Sequence, residues 1–288
     1  MKSPDTHLRF LSRARFPWSK FQEVSASGLG VVRPFATRDF PDPQGWNFQP
    51  AWAPSYWSFG RMRALLAIED ALALPAQTVL EVASGDGALC AVLSAAGRQT
   101  TANDLRTENL TNGLRNFRNA GSIRLLGGNL FDLDPEKTGR FDLVIACEIL
   151  EHVAHTVDFL KQLRRFLNPD GRALITTPNG AFFRNRLPTW TQVEDFTALE
   201  SRQFKPDADG RLFLITPQEM AHLGREAGFS VERLYVWGSP FLTGNAGLHR
   251  LASRAATPLA RFGESAVQYL PAALRSKLCT AQTAILRR

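Results

Sequence analysis

The chain has 288 residues, of which 44% are hydrophobic and 21% charged, and this composition is typical of a globular protein without low-complexity segments. The formal net charge of +7 favours anionic partners, such as nucleic acid, phosphorylated compounds or a membrane surface, but it equally suits ordinary solubility. Three scattered cysteines argue against a disulfide framework and a zinc cluster, and no apolar stretch approaches the ~20 residues that span a bilayer. We therefore expect a cytoplasmic protein that binds no metal.

The first 58 residues are predicted to be irregular, because five prolines between Pro34 and Pro54 interrupt any long element. The same segment carries Trp46, Trp52 and Trp57, which are too apolar for a free tail. We expect residues 1–58 to pack on a main domain formed by residues 59–288.

The main domain shows strands and helices in alternation, which predicts an α/β fold with a mostly parallel sheet and helices on both faces. Two inserts, 180–216 and 238–278, interrupt the alternation. The predicted strands are 78–83, 99–104, 122–128, 141–147, 172–177, 231–237 and 281–288. The predicted helices are a first one that follows Gly60 and extends to Leu72, then 88–97, 107–119, 153–167 and 217–229.

The segment 79–87, with the sequence VLEVASGDG, ends the first strand in a glycine-rich turn. Glycine serves where the backbone approaches a ligand closely or takes a positive φ, and such a turn at the carboxyl edge of a parallel sheet is where nucleotides bind. A nicotinamide dinucleotide would require a third glycine at Cys90, and Asp86 would oppose its pyrophosphate. Both residues argue against NAD.

The turn resembles the first motif of class I S-adenosylmethionine-dependent methyltransferases, an acidic residue followed by G-x-G-x-G. Glu81 matches the acidic position, Gly85 and Gly87 match two of the glycines, and Ser84 immediately precedes Gly85. Ala83 replaces the first glycine, so we expect a negative φ there. The resemblance implies a Rossmann-like, seven-stranded sheet with an antiparallel last strand. It also implies the cofactor S-adenosylmethionine.

Two further segments match this family in the expected order. Asp104 ends the second strand, where the family places a carboxylate that accepts hydrogen bonds from both ribose hydroxyls. The resemblance places Leu105 against the adenine. Asn129 and Leu130 stand in the stretch that holds the adenine, and the Asn129 amide oxygen can accept from the adenine amino group.

Residues 141–153, FDLVIACEILEHV, are similar to a signature of the ubiquinone-biosynthesis O-methyltransferase group, and residues 168–171 resemble the turn before its fifth strand. This likeness implies that Cys147 contacts the cofactor through its backbone. It also implies that Arg63 reaches the cofactor carboxylate, with Arg61 as the alternative.

The catalytic candidates follow the fourth strand, at the edge of the sheet where the methyl acceptor must lie. Glu148, Glu151, His152 and His155 would share one face of a helix that begins near residue 148. We take His152 as the general base for a hydroxyl acceptor, with Glu151 beside it. The alternative is that the glutamates favour a helix N-terminus and that His152 is a packing residue.

The two inserts are expected to select the acceptor, which we predict to be a small molecule, a glycan or a lipid-linked compound. An apolar stripe flanked by arginines within 246–277 suggests peripheral membrane contact, although such a stripe can also pack on its own domain. RNA or protein methylation and a cofactor-binding relative without catalysis remain open alternatives. The net charge allows nucleic acid, but no RNA-binding module is recognisable. The sequence does not indicate an oligomeric state.

Overall fold

The fold was analysed in a computed structural model of the chain. The structure describes residues 66–114, 122–203, 210–241, 243 and 262–288. The predicted N-terminal segment 1–58, its boundary at residue 59, Arg61 and Arg63 lie outside the described residues.

Seven strands form one sheet in the order β3-β2-β1-β4-β5-β7-β6. All neighbouring pairs are parallel except those made by β7, which runs antiparallel to both β5 and β6. The predicted Rossmann-like fold with an antiparallel last strand is therefore confirmed. The strands are β1 Thr78–Val82, β2 Gln99–Asp104, β3 Arg124–Gly127, β4 Phe141–Cys147, β5 Leu167–Pro178, β6 Ser230–Trp237 and β7 Ala281–Arg287.

Helices cover both faces of the sheet, because the central strands are apolar on both sides. In β4, Leu143 and Ile145 pack into one core cluster, while Val144 and Ala146 pack into a second cluster on the opposite face. The helices are α1 66–73, α2 Ala88–Ala95, α3 Thr107–Leu114, α4 Pro135–Thr138, α5 Thr156–Arg165, α6 Thr197–Glu200, α7 Pro217–Glu226, α8 262–268 and α9 Ala272–Leu278.

The strand order reverses at β1, which lies between β2 on one side and β4 on the other. The crossover connections after β1 and after β4 therefore leave the sheet in opposite directions. A crevice opens at the carboxyl edge of such a switch point, and this crevice is the usual ligand site of an open α/β sheet.

The segment after β4 differs from the prediction. Leu150–His152 form a 3-10 turn, and α5 begins only at Thr156 instead of at residue 153. Glu148 has a φ of +54°, which a continuing helix cannot contain. The expectation that Glu148, Glu151, His152 and His155 share one helical face is therefore wrong.

The fifth strand is longer than predicted and begins at Leu167 instead of at residue 172. Leu167 pairs with Phe141, and the Phe141 amide donates to the carbonyl of Phe166 at 2.8 Å. The side chains of Phe141, Phe166 and Leu167 are all buried in the larger core cluster, and this burial stabilises the pairing between the start of β4 and the start of β5.

The described parts of the first insert, 180–203 and 210–216, pack on the domain through Trp190, Phe196 and Leu199. The second insert is held by the buried carboxylate of Glu264, which accepts hydrogen bonds from two backbone amides after β6. Of the apolar stripe within 246–277, Phe262 is described and is 74% exposed. Membrane contact through this stripe stays a prediction. None of the described helices is long and apolar enough to cross a membrane.

Candidate active site

A cleft of about 370 Å³ opens at the carboxyl edge of the sheet, around the ends of β1, β2 and β4. It brings together residues that are far apart in the sequence, because they lie at or just after the ends of β1, β2, β3 and β4. The sequence-predicted residues that line it are Ala83, Gly85, Asp104, Leu105, Asn129, Leu130 and His152.

The turn after β1 is built from positive φ angles. Gly85 and Gly87 have φ values of +59° and +74°, and Ala83 has a φ of +56°. The expected negative φ at Ala83 is therefore wrong: the alanine adopts the left-handed conformation that favours glycine. A left-handed conformation costs an alanine about 1 kcal/mol, and the sheet-edge contacts around the turn must offset this cost.

The two glycines are required for different reasons. A Cβ atom at Gly85 would meet nothing within 4 Å, and Gly85 lines the cleft. A Cβ atom at Gly87 would lie 2.6 Å from Leu114 and 2.8 Å from Leu110. Gly85 therefore leaves space for a ligand, whereas Gly87 allows α3 to pack closely against the start of α2.

Asp104 connects the ends of two neighbouring strands. Its Oδ2 accepts a hydrogen bond from the Gly85 amide at 2.9 Å, and its Oδ1 accepts one from the Arg106 amide at 2.9 Å. A carboxylate offers about four acceptor positions, so these two bonds leave acceptor capacity for a ligand with adjacent hydroxyls. The backbone bonds also fix the carboxylate in the cleft.

Beyond Asp104, the cleft wall suits a flat, partly apolar group. The Leu105 side chain is 48% exposed, while Leu130 is buried at the base of the wall. The Asn129 side-chain oxygen accepts a hydrogen bond from the Phe131 amide at 3.1 Å and thereby caps the turn that follows β3. This bond holds the Asn129 amide group in place, and the oxygen keeps a second lone pair for the predicted adenine contact.

Four of the predicted cofactor residues do not line the cleft, namely Glu81, Ser84, Gly87 and Cys147. Glu81 is buried, and its carboxylate accepts from the Cys90 amide at 3.3 Å. The Ser84 hydroxyl donates to the Glu81 carbonyl at 2.9 Å, and Cys147 packs half-buried against the core under α1. Their roles in cofactor binding stay predictions.

Burial, together with the smaller effect of the nearby Asp86 charge, raises the pKa of Glu81 to about 8, although the hydrogen bonds with Cys90 lower it. Because this pKa lies above neutral pH, the protonated form of Glu81 predominates in the folded protein at pH 7. The glutamate under the turn therefore acts as a neutral hydrogen-bonding group.

The catalytic candidates differ in their exposure. The His152 side chain is 24% exposed and lines the cleft, whereas Glu151 is completely buried. The two side chains are neighbours, with 3.9 Å between His152 Nε2 and Glu151 Oε1. Arg211 Nε lies 3.7 Å from the same carboxylate oxygen. His152 is thus placed to contact a ligand, and Glu151 is placed to act on His152.

The neighbouring carboxylates turn towards β5. Glu148 Oε1 accepts from the Thr176 hydroxyl at 3.2 Å, and Glu151 Oε2 accepts from the Thr177 hydroxyl at 2.9 Å.

Within the described part of the chain, no group of three or more His, Cys, Asp or Glu side chains is arranged to hold a metal ion.

Several residues that line the cleft were not predicted from the sequence, among them Asn109, Ile149, Phe159, Arg202 and Gly210. The apolar positions could have been found from the periodicity of α5 and from the end of β4. Arg202 and Gly210 come from the first insert, and no motif points to them, because their position depends on how the insert folds back.

The fold, the switch-point cleft and the glycine turn together define an α/β protein that binds a nucleoside-containing cofactor. Residues 55–234, more than half of the chain, match the family model described as a methyltransferase domain. The chain therefore belongs to this methyltransferase family, which confirms the resemblance to class I S-adenosylmethionine-dependent methyltransferases and the predicted cofactor.

Curated relatives match over a shorter region. The ubiquinone biosynthesis O-methyltransferase of Rickettsia conorii is 31% identical over 102 residues, which is 35% of this chain and 35% of that protein. The enzyme of the same name from Xanthomonas campestris is 31% identical over 109 residues, 38% of this chain and 46% of that protein. The match spans less than half the length of these relatives.

Solved structures support the fold. A crystal structure of coclaurine N-methyltransferase has a TM-score of 0.55 at 14% identity and covers 94% of this chain and 86% of that chain. Haemonchus contortus phosphoethanolamine N-methyltransferase 2 has a TM-score of 0.51 at 18% identity and covers 88% and 60% of the two chains.

The two glycines of the turn allow a paired test. Gly87→Ala should destabilise the protein by about 2–4 kcal/mol, because a strained φ adds to the overlap with α3. Gly85→Ala should cost only about 1 kcal/mol but should weaken S-adenosylhomocysteine binding about tenfold, since its Cβ enters the cleft. Urea unfolding and calorimetry measure the two effects. Equal stability losses with unchanged binding in Gly85→Ala would refute the assignment.

Glu81 predicts the pH dependence of stability. The unfolded chain loses the Glu81 proton near pH 4.5 and the folded protein only near pH 8, so this group makes stability fall as the pH rises between these values. Glu81→Gln should flatten that dependence and raise Tm at pH 9 by about 5 °C. Thermal unfolding of both proteins from pH 5 to 9 measures the effect. A wild-type Tm that rises over this interval, with no gain in the variant, would contradict the buried neutral state.

Proposed function

We propose that the protein transfers the methyl group of S-adenosylmethionine to a hydroxyl oxygen of a small-molecule, glycan or lipid-linked acceptor. The observation that carries the proposal is the presence of Asp104 and His152 in one cleft, where they follow the strands on either side of β1. One residue is suited to hold the ribose and the other to remove the proton of the acceptor.

The cofactor supplies an activated methyl group on a sulfonium, and the protein supplies position and proton removal. Asp104 would hold the ribose, Leu105 and Asn129 would hold the adenine, and Gly85 would leave room for the cofactor chain. These contacts fix one reactant in the cleft beside His152. Fixing the acceptor hydroxyl in line with the sulfonium then converts the reaction into an intramolecular displacement.

His152 has a defined tautomer for this role. Its Nδ1 lies 3.2 Å from the Gly210 carbonyl oxygen, which can only accept a hydrogen bond. Nδ1 therefore carries the proton in the neutral imidazole, and the lone pair is on Nε2. Nε2 is then the atom that takes the proton of the acceptor hydroxyl.

Glu151 is a positioning residue in this proposal. Burial and the neighbouring charge of Glu148 raise its pKa well above the usual range, against the effect of Arg211. Once ionised, Glu151 would stabilise the imidazolium of His152 across the 3.9 Å between the two groups. Ionisation of Glu151 should therefore make His152 a stronger base.

The activity itself is tested by incubating the purified protein with S-adenosylmethionine that carries a tritiated methyl group. The acceptors are a catechol, a sugar with a free ring hydroxyl and a prenylated phenol, each paired with its amine analogue. Label should appear in the hydroxyl compounds of at least one pair. Transfer to the amines alone, or to none of the compounds, would contradict the proposal.

The ribose assignment is tested with Asp104→Ala. Loss of two charge-assisted hydrogen bonds should weaken S-adenosylhomocysteine binding about a hundredfold. The increase in Tm that this ligand causes in the wild type should then disappear. Asp158→Ala is the matched control, because Asp158 is an exposed carboxylate on α5 that pairs with Lys161 at the surface. An equal increase in Tm in Asp104→Ala and wild type would disprove the assignment.

The roles of the catalytic pair are tested through pH profiles. His152→Ala should lower kcat about a hundredfold and leave S-adenosylhomocysteine affinity unchanged. In the wild type, kcat should rise with pH as Glu151 loses its raised-pKa proton, because the new negative charge strengthens the base. Glu151→Gln should lack the part of this rise that comes from Glu151. An identical profile in Glu151→Gln and wild type would show that Glu151 has only a structural role.

A further inference from the structure

The first insert forms the wall of the cleft next to His152. The Ala154 amide donates to the side-chain oxygen of Gln203 at 2.7 Å, and His155 Nε2 lies 2.6 Å from a carboxylate oxygen of Glu200. These contacts fix the end of α6 and the turn after it against the loop that carries His152. The turn contains Arg202, which lines the cleft.

The second half of the insert closes the same wall. The Leu212 amide donates to the Glu151 carbonyl at 2.8 Å, and the Gly210 carbonyl accepts from His152. The second half of the insert is thus attached to the two residues that we assign to proton removal, and the first half is attached to Ala154 and His155, which follow them in the same loop. The position of Arg202 is therefore coupled to the position of His152.

The charges that line the cleft are distributed unevenly. Asp104 and Arg106 are adjacent at the end of β2, where the nucleoside end of the cofactor would bind. Near His152, the charged side chain that lines the cleft is Arg202, and the apolar walls are Ile149 and Phe159. An arginine beside apolar walls is suited to bind an anionic group on an apolar body.

We propose that the methyl acceptor carries a carboxylate or a phosphate, that Arg202 binds this anion, and that Ile149 and Phe159 hold the apolar part of the acceptor. The inference rests on the proposed function, since it names the substrate class of the same site. A planar guanidinium binds either anion through two parallel hydrogen bonds, so it fixes orientation as well as distance. The anion would thereby hold the acceptor hydroxyl at His152 Nε2.

The test compares matched probes by calorimetry on protein saturated with S-adenosylhomocysteine. The carboxylate 3,4-dihydroxybenzoate is compared with the neutral 3,4-dihydroxybenzamide, and phenyl phosphate is compared with phenol. At least one anion should bind about tenfold more tightly than its neutral partner. Arg202→Gln should abolish that preference, and Arg202→Lys should restore part of it, because an ammonium keeps the charge but not the two-bond geometry.

Arg233→Gln is the control, because Arg233 is an exposed arginine on β6, away from the cleft. It should keep the preference for the anion. Equal binding of both anions and their neutral partners, binding of none of the probes, or a preference that survives in Arg202→Gln would overturn the inference. Failure of wild-type protein to bind S-adenosylhomocysteine would be a separate result, which contradicts the proposed function and the inference with it.

Discussion

The hydrogen bond from the Gly85 amide to the Asp104 carboxylate joins the turn after β1 to the end of β2. It can form only because these strands are parallel neighbours whose carboxyl ends meet at one edge of the sheet. The bond fixes the turn in which Ala83 has a positive φ, and it also fixes the Asp104 carboxylate that lines the cleft. The geometry of this side of the cleft therefore follows from strand order, and the glycines make that geometry sterically accessible.

Much of the fold was predictable, because its signals are local. Continuous apolar strands such as β4 and the glycine turn at Gly85 are visible in short windows of sequence. The φ of Ala83 was not predictable, since the residue type disfavours it and the tertiary contacts impose it. The same holds for Glu148, whose left-handed conformation ends β4 and delays the start of α5 to Thr156.

The wall of the site near His152 could not be predicted, because long-range contacts form it. His155 pairs with Glu200, and the Ala154 amide bonds to Gln203. No pattern in the sequence indicates that these two segments are in contact. Family motifs therefore point to the half of the cleft at the ends of β1, β2 and β3, while the first insert contributes Arg202 and Gly210 to the half near His152.

The central claim is that the switch-point cleft binds S-adenosylmethionine. The most direct test is calorimetric titration of the wild-type protein with S-adenosylmethionine, S-adenosylhomocysteine and NAD in parallel. The account predicts one site per chain for the two sulfur compounds and no heat of binding for NAD, because Cys90 fills the place of the third dinucleotide glycine. Binding of NAD without binding of either sulfur compound would contradict it.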